Sequence, residues 1–278
     1  MGFNKDEYLQ NVQSACDFLT SRIETTPTIG IILGSGQNEV VSKIEKPISI
    51  SGADIPGFPA ATVSFHRGKV IFGWLGGKYV AILQGRYHYY EGHSMQAITL
   101  PVRVLAALGI RSLIVTNAAG GLNPNYKTGD LVIIRDHINF MSDSPLIGLN
   151  YESIGPLFPD MNFTYDTGYI ELLKDIFHEN GLQRQTGVYC SVKGPQMETP
   201  AEQKMFRLVG GDLIGMSTVP EIITARQLQL NCAAISVVTN QCTPDNPEFT
   251  TVEHVVENAG KVDELLSKVL IGLVSKID

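Results

Sequence analysis

The chain has 278 residues, of which 44% are hydrophobic and 18% charged, so a sizeable core is expected and extensive disorder is excluded. Its formal net charge of -7 argues against a protein that binds nucleic acids or anionic membranes, although a few local donors can still bind an anionic substrate. The length fits one large α/β domain, which we predict to span residues 1–278.

The four cysteines are predicted to be buried free thiols. None of Cys16, Cys190, Cys232 and Cys242 belongs to a CxxC pair, and two of them lie in apolar runs, which favours a reducing compartment. The N-terminus has no apolar signal core, and no apolar run approaches the ~20 residues of a membrane span. We therefore expect a cytoplasmic protein.

The first elements are a helix and a strand that ends in glycine and serine. Asn4 and Glu7 have capping-box spacing and begin a helix predicted to reach about Ser21. The apolar run Thr28–Leu33 predicts a strand, and Gly34-Ser35-Gly36 follows it. Free N–H groups and a hydroxyl at such a place can surround phosphate oxygens, although a plain turn is the alternative. A Walker motif and a dinucleotide fingerprint, and with it a nicotinamide-dependent oxidoreductase, are disfavoured because their further Lys and Gly residues are absent.

A polar run follows a group of strands predicted at Ala60–Phe65, Lys69–Leu75 and Tyr79–Leu83, with turns at Arg67-Gly68 and Gly76-Gly77. The run includes Arg86, His88, Tyr90 and His93. A guanidinium and an imidazole so close together need polar partners, and both suit an oxyanion; an exposed polar loop is the alternative. The two histidines are five residues apart, which is not a zinc-binding helical spacing, and no metal site is expected.

The segment Arg111–Asn123 is the predicted floor of an active site. It follows a predicted helix over Ser94–Leu108, and its apolar run Leu113–Val115 predicts a buried strand. Small residues and glycines, among them Ala118, come next and leave backbone N–H groups accessible, although the glycines alone could simply turn the chain. Another strand is predicted at Asp130–Ile134.

Residues 143–160 contain several glycines and prolines and show no period, so a long irregular segment is predicted. Phe158 within it is a candidate lid residue or interface anchor, and local packing is the alternative. A helix at Glu171–His178 and a strand at Gly187–Val192 follow. Thr199 and Glu202 then have capping-box spacing, so Glu198 lies just before a helix, where it either interacts with the helix dipole or contacts a substrate.

The last third of the chain alternates strands and helices in the same way. Asp212–Met216 predicts a strand, after which Ser217 is a candidate anion ligand, and Thr218 with Glu221 predicts a capping box that opens a helix to about Leu230. Cys232–Val238 predicts a buried strand that ends in Thr239-Asn240. One helix is predicted from Val252 to Ile277.

This alternation predicts an α/β fold with a central mixed β-sheet flanked by helices. Groups suited to an anion and groups suited to a neutral polar ring both follow strands, which indicates a phosphate site beside a site for a heterocycle. The candidate residues at strand ends are Ser35, Arg86, His88, Ala118, Glu198, Ser217 and Asn240.

With these motifs in place, the chain resembles the trimeric purine nucleoside phosphorylase family. The matching blocks run in family order over nearly the whole chain: Leu33–Gly36, Gln84–Gly92, Thr116–Pro124, Arg135–Asn139, Gly194-Pro195 with Glu198-Thr199, Gly215–Glu221 and Thr239-Asn240. The resemblance implies a glycosyltransferase that cleaves purine nucleosides reversibly with phosphate as co-substrate and needs no cofactor. It also implies a homotrimer.

The resemblance also implies roles for individual residues. The phosphate ligands are Ser35, His66, Arg86, His88, the backbone of Ala118 and Ser217; the ribose contacts are Tyr90, Met216 and His254; and the purine contacts are Glu198, Asn240, Met197 and Ala118. Asn240, Glu198 and His88 are the implied catalytic residues, and Phe158 is implied to complete the site of a neighbouring subunit.

Asn240 bears on the choice of substrate. An amide at this position suits a 6-oxopurine such as hypoxanthine or guanine, whereas the related methylthioadenosine phosphorylases usually carry Asp and are the nearest alternative. A non-catalytic or hydrolytic nucleoside-binding protein is the second alternative. Three departures from the family pattern affect these expectations: Gln37-Asn38 in the phosphate loop, Phe65 before His66, and Met197 where an aromatic residue usually packs on the base.

Overall fold

The computed structural model describes residues 3–59, 68–149 and 154–277. The predicted strand Ala60–Phe65, His66 and Arg67 of the next turn lie outside these residues. The helices are α1 (Lys5–Thr20), α2 (Glu39–Ser42), α3 (Met95–Leu108), α4 (Thr167–Glu179), α5 (Pro200–Leu208), α6 (Val219–Gln227), α7 (Val252–Lys261) and α8 (Asp263–Lys276). The strands are β1 (Ile29–Ile32), β2 (Glu45–Ser51), β3 (Lys69–Leu75), β4 (Lys78–Gln84), β5 (Ser112–Gly121), β6 (Leu131–Asn139), β7 (Thr186–Ser191), β8 (Leu213–Gly215) and β9 (Asn231–Gln241).

The strands form one mixed sheet in the order β2-β3-β4-β1-β5-β8-β7-β6-β9, as the predicted α/β class requires. β9 pairs with β5 as well as with β6, so β5, β8, β7, β6 and β9 close into a ring. β1 runs parallel to β4 and β5, and β5 runs parallel to β9. The carboxyl ends of these four strands therefore lie along the same edge, where ligands bind in open α/β sheets.

Both faces of the central strands are buried, which explains why their sequences are continuous apolar runs. Leu113 and Val115 face one hydrophobic cluster, to which α1, α3 and α6 contribute, whereas Ile114 faces a second cluster with α4 and α8. Side chains along a strand alternate between faces, so consecutive apolar residues of β5 serve both clusters. This packing holds the strand that crosses the centre of the sheet.

Helix starts with short-range caps match the sequence pattern. The Asn4 side chain accepts a hydrogen bond from the Glu7 N–H, and Thr199 and Glu202 form the full reciprocal capping box of α5. α3 continues through Pro101, as predicted. The edge elements α2 and β2 were not predicted, because β2 is mostly exposed and its pairing with β3 is irregular between Glu45 and Ile48.

Two predicted elements differ in the structure. The single helix expected over Val252–Ile277 is broken at Val262, whose non-helical backbone separates α7 from α8. The glycines expected to end the central strand instead continue it through Gly121. A Cβ atom at Gly120 would lie only 2.9 Å from Sγ of Cys242, the residue that follows β9. Glycine is therefore needed at this position because Cys242 packs closely against it, and not because the backbone turns.

The prediction of free thiols is confirmed, because all four cysteines are buried and unpaired by disulfides. In the part of the chain that the structure describes, no helix is both long and apolar enough to cross a membrane.

Candidate functional site

A cavity of about 290 Å³ opens along the edge where β1, β4, β5 and β9 end. Its size is close to the lower end of the range for small-ligand pockets. It brings together most of the residues that the sequence singles out: Ser35, Arg86, His88, Tyr90, Ala118, Met197, Glu198, Met216, Ser217 and Asn240. These residues come from segments spread over 206 positions of the chain, between Ser35 and Asn240 and including both.

Two predicted site residues do not line this pocket, and the structure does not describe a third. His66 lies outside the described residues. Phe158 is 88% exposed, as an interface residue or lid residue would be. His254 is exposed on α7, where Val252, Val255 and Val256 line the pocket, and its contact with ribose stays a prediction. At 3.6 residues per turn, those valines share one face of the helix, and His254 points to the opposite face.

The loop after β1 provides the first polar wall. Gly36 has φ of 76°, a conformation that favours glycine, and a Cβ atom there would lie 2.7 Å from the Val256 carbonyl oxygen. The loop is therefore packed closely against α7. In the described part of the chain, the Ser35 hydroxyl makes no hydrogen bond, so it is available to a ligand in the pocket.

Arg86 is buried and is held by several protein groups. One Nη donates to the Thr116 carbonyl oxygen, and the other lies 3.1 Å from Thr218 Oγ1 and 3.8 Å from Glu221 Oε1. A buried guanidinium needs such partners to compensate for its lost hydration. The same contacts fix the direction of the side chain at the pocket wall.

His88 is a neutral ring at neutral pH, because burial lowers its pKa. Its Nδ1 lies 3.2 Å from Glu91 Oε1, and its ring stacks on Tyr90 with 4.7 Å between the centroids. In a neutral imidazole one ring nitrogen donates and the other accepts, so the ring can meet a ligand as a donor or as an acceptor. Burial also raises the pKa of Tyr90 to about 12, so its hydroxyl stays protonated.

Thr218 does not form the predicted capping box. Its φ of 73° and ψ of -53° are those of a strained γ-turn, which is closed by a 2.8 Å hydrogen bond from the Val219 N–H to the Ser217 carbonyl oxygen. The Thr218 hydroxyl lies between Arg86 Nη1 at 3.1 Å and Asn117 Nδ2 at 2.9 Å. Because the hydroxyl binds these two distant residues, it does not cap the start of α6. The Glu221 carboxylate faces Arg86 and does not complete a capping box.

A carboxyl group and an amide, those of Glu198 and Asn240, also line the pocket. Burial raises the pKa of Glu198, and Met197 beside it is 43% exposed at the pocket. The Thr239 hydroxyl oxygen lies 3.3 Å from Asn240 Oδ1 and also 3.3 Å from the Ala119 carbonyl oxygen. When Thr239 donates to Oδ1, the amide nitrogen of Asn240 is the group left for a ligand.

Sequence reasoning did not identify Asn117 and the three valines of α7 as residues of the pocket. Asn117 was read only as part of a small-residue run, although a buried amide before two alanines needs partners. Of the three valines, only Val255 belongs to the apolar stripe that predicts the long C-terminal helix. The three valines face the cavity because the helix breaks at Val262 and because α7 packs against the loop after β1.

Comparison with known proteins gives one consistent family. The model of the phosphorylase superfamily matches residues 28–275. A purine nucleoside phosphorylase 1 of Geobacillus stearothermophilus is 46% identical over 251 residues, which cover 90% of this chain and 92% of that protein.

Two crystal structures of purine nucleoside phosphorylases from Schistosoma mansoni are also similar. Isoform 2, in complex with cytosine and ribose-1-phosphate, superposes with a TM-score of 0.93 at 37% identity and covers 97% of both chains. A complex with inosine superposes with a TM-score of 0.92 at 36% identity, again over 97% of both chains.

Proposed function

Because the chain belongs to the purine nucleoside phosphorylases of the phosphorylase superfamily, we propose that it cleaves 6-oxopurine ribonucleosides and deoxyribonucleosides with inorganic phosphate. The products are the free base and ribose or deoxyribose 1-phosphate. The observation that carries this proposal is that one cavity is lined both by Ser35, His88 and Ser217, which suit an oxyanion, and by Glu198 and Asn240, which suit a purine. An oxyanion and a purine would then bind on either side of the same sugar.

The phosphate ligands in this proposal are Ser35, Arg86, His88, Ser217 and the backbone of Ala118. Hydroxyls, a guanidinium and backbone N–H groups are the usual donors to phosphate. The neutral His88 ring would add one polar group beside the phosphate without adding charge. His66 is retained as a further ligand on the strength of the family resemblance alone.

The nucleoside would lie across the rest of the cavity. Tyr90 and Met216 are the proposed ribose contacts, and Met197 would lie against the face of the base, where a thioether packs well. The Glu198 carboxylate would accept from N1–H of a 6-oxopurine, and from the 2-amino group of guanine. Asn240 would donate from Nδ2 to N7 of the base.

The proposed reaction breaks the C1′–N9 bond, and the electron pair leaves with the purine. A phosphate oxygen then forms the new bond at C1′. As the bond stretches, the sugar becomes cationic and the purine gains negative charge. The hydrogen bond from Asn240 strengthens with that charge, and phosphate stabilises the cationic sugar, so both interactions favour the transition state over the ground state.

The test is to incubate the protein with inosine, with and without inorganic phosphate, and to follow hypoxanthine and ribose 1-phosphate by chromatography. We expect both products only when phosphate is present. Hypoxanthine together with free ribose in phosphate-free buffer would show a hydrolase, and no turnover in either buffer would show a binding protein.

The raised pKa of Glu198 predicts that inosine binding weakens on acidification at a higher pH than an exposed glutamate would allow. The protonated carboxyl no longer accepts well from N1–H, so kcat/KM for inosine at saturating phosphate should fall as pH decreases through the raised pKa. The Glu198→Gln variant, which cannot titrate, should be less active and should lack this limb of the profile. An identical acid limb in that variant would refute the assignment.

We further propose a homotrimer in which Phe158 completes the pocket of the neighbouring subunit. Its segment is anchored to α6 by hydrogen bonds from Gln227 Nε2 to the Pro156 carbonyl oxygen (3.4 Å) and from Arg226 Nε to the Asp160 carbonyl oxygen (3.0 Å). These two hydrogen bonds hold the segment on both sides of Phe158, whose ring is exposed. The ring is 88% exposed in one subunit, and in the proposed trimer it would be buried against the neighbouring subunit.

Replacing Phe158 by alanine should raise KM for inosine by about tenfold, a loss of about 1.4 kcal/mol, because an aromatic contact to the bound nucleoside is removed. Phe163→Ala, which removes another exposed ring of the same region, is the matched control and should leave KM unchanged. Light scattering should show trimers for both variants. A monomeric wild-type protein, or equal effects of the two substitutions, would contradict the proposal.

A further inference from the structure

The loop that carries Ser35 is fastened by a buried glutamine at a position where the family resemblance predicts a small residue. Gln37 is 1% exposed. Its Oε1 accepts from the Gly34 N–H at 3.0 Å, and its Nε2 donates to the Asn117 carbonyl oxygen at 3.0 Å. Both ends of the amide are therefore satisfied by backbone, one at the exit of β1 and the other in β5 next to Ala118.

Gln37 is also the start of a buried hydrogen-bonded chain that reaches the other phosphate-side groups. The Asn117 side chain donates to Thr218 Oγ1 at 2.9 Å and accepts from Ser236 at 2.8 Å. Thr218 in turn contacts Arg86 at 3.1 Å and the Ser217 hydroxyl at 3.2 Å. This network of hydrogen bonds thus joins five segments that are far apart in sequence.

The amide of Gln37 fits the space above Gly34 closely. A Cβ atom at Gly34 would lie 2.6 Å from Gln37 Oε1 and 2.8 Å from the Asn117 Cα. A larger residue at position 34 would therefore displace the Gln37 side chain or β5. The far end of the loop is held as well, because Asn38 Oδ1 accepts from Gln84 at 2.8 Å and the Asn38 N–H donates to Asp263 at 2.6 Å. Ser35 lies within a segment fixed on both sides.

We propose that Gln37 is a positioning residue for phosphate. It does not line the cavity; it holds the Ser35 loop against β5 and, through Asn117 and Thr218, keeps that loop in register with Arg86 and Ser217. Small errors in the position of such groups cost binding and rate steeply. The inference rests on the proposed function, because it takes phosphate as the co-substrate.

The first test is Gln37→Met, which keeps the length of the side chain and removes both hydrogen bonds. KM for phosphate should rise by about tenfold or more, while KM for inosine and kcat at saturating phosphate stay within about twofold. Gln185→Met is the control, since Gln185 bonds to Asp130 Oδ2 at 3.2 Å and does not line the cavity. That variant should lose thermal stability without any change in KM for phosphate.

The second test is Gln37→Glu, which has a readout that a merely structural role would not produce. When the introduced carboxyl is protonated, it can donate to the Asn117 carbonyl oxygen and accept from Gly34, as the native amide does. When it is ionised, it loses the donor. The ratio of variant to wild-type KM for phosphate should therefore fall toward one as pH decreases, at the same ionic strength.

A third measurement does not need turnover: inorganic phosphate should raise the unfolding temperature of the wild type, and much less that of Gln37→Met. An unchanged phosphate shift, or equal losses of phosphate and inosine binding in Gln37→Met, would overturn the inference. If the wild type binds phosphate but does not cleave inosine, only the proposed function fails. If phosphate does not raise the unfolding temperature of the wild type at all, both the proposed function and this inference fail.

Discussion

Replacing Asn240 by alanine is expected to lower kcat/KM for inosine by about 10²–10³-fold, the usual effect of removing one donor that stabilises transition-state charge. Asn240 is the penultimate residue of β9, and its Oδ1 lies 3.3 Å from the Thr239 hydroxyl oxygen. A Cβ atom at Gly120 would lie 3.4 Å from Nδ2, so the amide sits directly on the glycine of β5. The measurement is steady-state kinetics with inosine at saturating phosphate.

The companion variant Asn240→Asp tests the choice of base. A carboxylate accepts from the 6-amino group of adenine and repels O6 of hypoxanthine, so the preference should move from inosine toward adenosine. Asn231→Asp, at the opposite and exposed end of the same strand, makes the same chemical change away from the cavity and should leave selectivity unaltered. Unaltered selectivity in Asn240→Asp as well would refute the assigned role.

Replacing Arg86 by methionine should raise KM for phosphate by about 10²-fold or more, because hydrogen bonds to a charged ligand are lost from a buried wall. The fold should suffer too. Glu221, 3.8 Å from the guanidinium, would be left as an uncompensated buried charge, at a cost of about 3–5 kcal/mol in the free energy of unfolding. Phosphate kinetics and chemical denaturation measure the two effects separately.

The double variant Arg86→Met, Glu221→Gln separates them within one protein. Removing the unpaired charge should recover much of the lost stability, and KM for phosphate should stay high. Recovery of phosphate binding together with stability would show that the guanidinium supports the fold rather than the ligand. Glu221→Gln alone should keep most of the phosphate affinity, since Arg86 retains Thr116 and Thr218 as partners.

Much of the fold could be predicted because its determinants are local. The helix start at Asn4, the full capping box at Thr199 and the apolar runs of β1 and β5 each depend on residues within a few positions of one another. The convergence of Ser35 and Asn240 on one cavity also followed from a simple rule, that parallel strands end at the same edge of a sheet.

The differences arise where distant partners decide the local structure. Thr218 has the spacing of a capping residue, but Arg86 and Asn117 bind its hydroxyl from 132 and 101 positions away. The sequence around Gly120 is typical of a turn, yet its backbone is extended within β5. Its missing side chain leaves space for the side chains of Cys242 and Asn240. No sequence window contains these pairs, so only the folded chain reveals them.

The backbone of Thr218 has a consequence for laboratory evolution of this protein. A threonine at φ 73° stores backbone strain that glycine would relieve. Glycine would also leave the buried Arg86 and Asn117 donors without the hydroxyl that both of them bind, at a cost of about 1–3 kcal/mol for each unsatisfied group. Random mutagenesis followed by a screen for heat resistance should therefore retain threonine at this position, even though its backbone is strained.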